Sequence, residues 1–67
     1  MDLGKSIKIA LIKKGVLHKQ MAEDLGISPQ QVSLWIRRGR LSQDNLRSVA
    51  SYFQMPVSQF IALGEDQ

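Results

Sequence analysis

Apolar residues recur along the chain at intervals of three and four, the spacing of a helix face, and no stretch alternates like a strand. Leu3, Ile7, Ala10 and Leu11 form a first stripe that fades at Lys13 and Lys14 and stops at Gly15, which suits a helix C-cap. Met21, Ala22 and Leu25 make a short second helix ended by Gly26. The clearest start signal follows Ile27. Ser28 can cap a helix, Pro29 fits its first position, and Gln31 can close a capping box back to Ser28. This third helix is predicted over about Pro29–Arg38, with Gly39 as its stop. A fourth begins at Ser42 or Asp44 and lines up Leu46, Val49, Ala50 and Phe53 on one face. Pro56 opens a fifth carrying Val57, Phe60 and Ile61, which Gly64 is expected to end.

Five short helices with tight connections predict a compact all-α fold. With no linker, repeat or low-complexity stretch, residues 1–67 are expected to form one domain. A chain of this size buries only about 60% of its unfolded surface, so a disulfide, a metal or close helix packing has to help. The sequence has no cysteine, which excludes disulfides, thiolate zinc sites and cysteine nucleophiles. His18 is the only imidazole, so multi-histidine metal sites are excluded as well. Helix packing remains. A hydrophobic share of 43% against 22% charged is that of a folded globule rather than a disordered chain. No apolar run nears the ~20 residues of a membrane span, and the stretch from Met1 to Lys5 lacks the apolar core of a signal peptide. A soluble, cytoplasmic protein with no membrane partner is expected.

The charge of +3 matters less than its placement. Five lysines lie between Lys5 and Lys19 and four arginines between Arg37 and Arg47, and the first 64 residues carry +5. Such a basic body suits a polyanionic partner. On the wheel of the third helix Val32, Trp35 and Ile36 fall together and face inward. Gln30, Leu34 and Arg37 lie opposite them, flanked by Ser33 and Arg38. This outward face holds no acid, and its glutamine, serine and arginine can read base edges or grip phosphates. In the helix before it, the small Ala22 allows a close crossing and Gly26 permits a sharp turn. Catalysis has no support. Glu23 and Asp24 are adjacent and so point apart, His18 has Ala22 one turn on, and no phosphate loop or nucleophile–base pair is present. No cofactor and no metal are expected.

The segment over residues 18–38 (HKQMAEDLGISPQQVSLWIRR) resembles a helix-turn-helix of the phage repressor and Cro type. Met21, Ala22, Leu25, Gly26, Ile27, Val32 and Trp35 carry the match. WIRRGR, from Trp35 to Arg40, is similar to Cro proteins, and LRSVASYFQMPVSQFIAL, from Leu46 to Leu63, to the last two helices of repressor DNA-binding domains. The resemblance implies a five-helix, lambda-repressor-like DNA-binding domain with a central helix-turn-helix. It further implies a transcriptional regulator, Cro-like or repressor-like, of a phage or prophage. Such a protein binds a palindromic double-stranded DNA operator, with the second motif helix in the major groove. A homodimer is implied, either standing or formed only on DNA, with half-sites roughly 34 Å apart. Repression by blocking RNA polymerase is the implied output, in a bacterial cytoplasm and on the nucleoid when DNA is bound. The chain's size argues against a small-molecule effector pocket, and no effector is expected.

By position, the resemblance puts Pro29, Gln30, Ser33 and Leu34 where the family contacts bases, and Arg37, Arg40 and His18 at phosphate-contacting positions. Pro29 stands where a base-reading glutamine is frequent, so only a cap and a shape remain there. Leu34 cannot hydrogen-bond, but its methyls can meet a thymine methyl. Ile36 replaces an acid common in repressors and is expected to join the core. Gln31 is a candidate for capping or for base contact. Arg38, Lys14 and Lys19 join the phosphate candidates on charge and position. The rival reading is a protein-interaction module, an antirepressor or adaptor, for which Ile9, Ile12 and Leu63 offer spare apolar surface. The same residues suit a homodimer seam or packing under the fifth helix.

Overall fold

Each helix begins and ends where a side chain or a turn can satisfy its open backbone groups. The computed structural model describes residues 2–65. In chain order the helices are α1 (Leu3–Lys14), α2 (His18–Leu25), α3 (Pro29–Arg38), α4 (Gln43–Tyr52) and α5 (Val57–Glu65), with no strand among the described residues. Asp2 caps α1 by accepting from the Lys5 amide at 3.1 Å, a start signal that the apolar pattern alone does not supply. Ser28 and Ser42 cap α3 and α4, each accepting from the amide three residues on at 3.2 Å, which settles the fourth start in favour of Ser42. Only the forward half of the α3 capping box forms. The Gln31 side chain turns away from Ser28 to line a depression between α3 and the start of α4.

The fifth helix departs from expectation at its end. Gly64 does not stop α5, which runs through it to Glu65. Gly64 is buried, and a Cβ there would collide with the Asp2 carbonyl and the Ser6 hydroxyl. Its glycine serves a close helix approach. Gly4 makes the same kind of contact on the other side of α1, where a Cβ would overlap the carbonyl oxygen of Ile36. Nearby, the Leu3 amide donates to the Gly39 carbonyl at 3.1 Å. The first turn of α1 is thus wedged between the end of α5 and the end of α3.

One core joins all five helices: Leu3, Ile7, Ala10 and Leu11 from α1, Met21 and Ala22 from α2, Val32 and Trp35 from α3, Val49 and Ala50 from α4, Phe53 just after it, and Phe60 from α5. Phe53 and Phe60 stack with ring centroids 6.1 Å apart. Ser6 is the one buried polar side chain among the described residues, and its hydroxyl donates to the Ile61 carbonyl at 3.4 Å. Leu63 and Ile36 are half-buried and pack against this core, whereas Ile12 is open to solvent.

Candidate nucleic-acid interface

The turn between α2 and α3 fixes how the outward helix is presented. Gly26 takes φ 71°, a left-handed conformation that glycine adopts without a steric cost. Its amide donates to the Glu23 carbonyl at 3.2 Å and the Ile27 amide to that of Ala22 at 2.9 Å, closing the end of α2. Ile27 packs against the core beside this turn, and the Ser28 cap starts α3 at once. Val32 is fully buried and Trp35 nearly so, which anchors the inner face of α3.

With that face anchored, Pro29, Gln30, Ser33, Leu34 and Arg37 line a single open depression on the outside of α3. Leu34 is half-buried and the other four are exposed. No acidic side chain lies within α3. The nearest acid in sequence, Asp24, is held by other partners: it accepts from the Tyr52 hydroxyl at 2.6 Å and from the Gln20 side chain at 2.9 Å. Asp2 is likewise placed away from α3's outer face, with its carboxylate filling the space that a side chain at Gly39 would need.

The remaining candidates fall into two groups. Gln31, Arg38 and Arg40 line a second depression with Trp35, Leu41, Ser42 and Asn45, where α3 gives way to α4. Gln31 is therefore grouped with the arginines at the helix end rather than with Gln30 and Ser33. His18 and Lys19 are exposed in the first turn of α2. Lys14 has a different neighbour: its ammonium lies 5.1 Å from the centroid of the Tyr52 ring. Burial, the hydrogen bond to Asp24 and that carboxylate's charge together push the Tyr52 hydroxyl up to about 12. This Lys14–Tyr52–Asp24 clasp ties α1, α4 and α2 together. Its Tyr52–Asp24 bond joins residues 28 positions apart, and no local pattern announces it.

Among the described residues no group of His, Cys, Asp and Glu side chains is placed to hold a metal, and no helix is long and apolar enough to cross a membrane. A helix-turn-helix family profile matches residues 7–60, from within α1 to within α5 and including α2, α3 and α4 whole. The chain belongs to the helix-turn-helix family of the phage repressor and Cro type. It is similar to the repressor protein CI of Enterobacteria phage phi80, with 33% identity over 52 residues. That match covers 78% of this chain and 22% of the phage protein, so the chain spans about a fifth of that relative's length. No solved structure matches it. The five helices of this helix-turn-helix chain agree with the all-α, lambda-repressor-like fold.

Proposed function

We propose that this chain is a sequence-specific DNA-binding transcription regulator that lays α3 in the major groove. The observation that carries the reading is the acid-free outer face of α3, with Pro29, Gln30, Ser33, Leu34 and Arg37 around one depression on the second helix of the motif. Gln30 presents an amide to an adenine edge, Ser33 a hydroxyl to any base, and Leu34 its methyls to thymine. Pro29 shapes the entry of the helix, and Gln31 reaches a base or phosphate from the α3–α4 side. Arg37, Arg38, Arg40, His18 and Lys19 grip phosphates and set the register, with Lys14 reaching one from its seat over Tyr52. Two copies bind an inverted repeat with half-sites roughly 34 Å apart, and the bound dimer blocks transcription.

The experiment is selection of bound sequences from a random duplex pool at about 150 mM salt, where phosphate attraction alone is screened. Enrichment of an inverted repeat with half-sites one turn apart is expected. A single enriched half-site would keep the DNA reading and remove the dimer. A folded, helical protein that enriches no sequence would overturn the proposal.

A further inference from the structure

Among the described residues two large apolar side chains stand open to solvent, Ile12 at 81% exposure and Leu17 at 77%. They are not scattered. Both line one groove where α1 ends and the chain turns into α2, together with Leu11 and Val16 and edged by Lys8 and His18. The groove shares no lining residue with the outer depression of α3. Leu17 also occupies the N-cap position of α2, where it makes no side-chain capping bond. Ser, Thr, Asp or Asn there would stabilise the helix. An exposed leucine in that place leaves the helix start less stable and enlarges the apolar surface.

Lys8 is the one lysine that lines the groove, and no aspartate or glutamate lines it. Residues 3–22 include Lys5, Lys8, Lys13, Lys14 and Lys19 and no aspartate or glutamate. An apolar centre in cationic surroundings complements a partner that brings both carboxylates and hydrocarbon. A DNA backbone offers the charge but gains nothing from two aliphatic side chains. A second copy of the chain would set lysine against lysine, and so few apolar side chains fall far short of the roughly 800 Å² per partner of a stable interface. A bilayer surface is broad and yielding, whereas these apolar atoms line a local concavity suited to the side chains of a peptide segment. We propose that the Ile12–Leu17 groove docks an acidic protein segment, which inserts apolar side chains between the end of α1 and the start of α2 while Lys8 faces its carboxylates.

The test pans a displayed random-peptide library on the full chain at about 150 mM salt, with the Ile12→Gln/Leu17→Gln double variant as counter-target. Both positions are exposed and neither is among the proposed DNA contacts, so the variant is expected to keep its helicity and its affinity for duplex DNA. Expected are enriched peptides that combine Asp or Glu with Leu, Ile or Phe and bind the double variant about tenfold more weakly, or worse. Such a peptide shifts the amide resonances of Ile12, Val16 and Leu17 and leaves Ser33 unmoved. Peptides that bind the double variant equally well would reduce the groove to general lysine attraction and overturn the proposal, as would the absence of enrichment. Phosphatidylglycerol vesicles serve as a parallel probe. Binding to them that needs Ile12 and Leu17, without peptide binding, would assign the groove to a lipid surface and overturn the proposal equally.

Discussion

Gln30 and Arg37 stand on the same exposed face of α3, about two turns apart, and the proposed interface gives them different parts of the DNA. A glutamine amide matches one base edge and mismatches the others, so its loss is felt where the sequence is right. Gln30→Ala is expected to cost about 1–3 kcal/mol on the selected duplex and little on random DNA, as measured by competition binding. Equal losses on both would remove it from the base-reading set. Arginine neutralises a phosphate whatever the sequence. Arg37→Ala therefore weakens both kinds of DNA and makes the plot of log affinity against log salt shallower by about one contact. Lys14 differs from the arginines because its ammonium already lies over Tyr52. Tyr52 itself gives a direct spectroscopic check, being the only tyrosine. Its pKa is raised from 10.0 to about 12, so the folded state holds the phenol proton more tightly than the unfolded chain does. The resulting stability is complete below pH 10 and lost as pH rises through about 12. Phenolate absorbance of the folded protein is expected to develop around pH 12, and in Asp24→Asn to develop at lower pH, with the effect of burial remaining. A folded wild-type chain that titrates near 10 would contradict the clasp.

The helices were legible in the sequence to the extent that their signals are local. Ser28, Pro29 and Gly39 bracket α3 where they are expected, because a cap, a fixed φ and a stop act within a few residues. Ser28→Ala is expected to lower stability by about 1 kcal/mol in urea unfolding, and an unchanged midpoint would remove the cap. Signals that depend on a distant partner were not legible. Gly64 reads as a helix stop, yet α5 passes through it, and the position is glycine because α1 approaches too closely for any side chain. Gln31 reads as a capping partner, yet its side chain joins Trp35, Arg38 and Arg40 beside α4. Gly4 gave no signal at all, although it lies against the Ile36 carbonyl and so limits how closely α1 can seat α3. Gly4→Ala is expected to cost about 3 kcal/mol, the upper range for overpacking, and thermal melting would show it. A melting temperature equal to that of the parent would mean that the two helices are not in contact there. In the candidate site, the outer face of α3 was readable from helix periodicity, whereas the seating of Lys14 on Tyr52 was not, since it joins the ends of α1 and α4.

At the scale of the whole molecule, α1 is the central element, packed on both α3 and α5, while α2 rests on α3 and α4 on α5. The body is about 27 × 22 × 20 Å, small enough to sit over a single half-site. Its positive charge is divided between the lysines of α1 and α2 and the arginines at the α3–α4 side, so the two ends of the helix-turn-helix are both basic. In the proposed complex these two basic ends meet phosphates along both edges of one groove while α3 lies between them. The outer face of α3 is the surface proposed to meet DNA. An amide resonance titration of the full chain with the duplex recovered by selection tests it most directly. The largest shifts are expected at Gln30, Ser33, Leu34 and Arg37, with smaller ones at His18 and Arg40 and none at Phe60 or Ile61. Shifts concentrated on α4 and α5, with α3 unmoved, would contradict the claim.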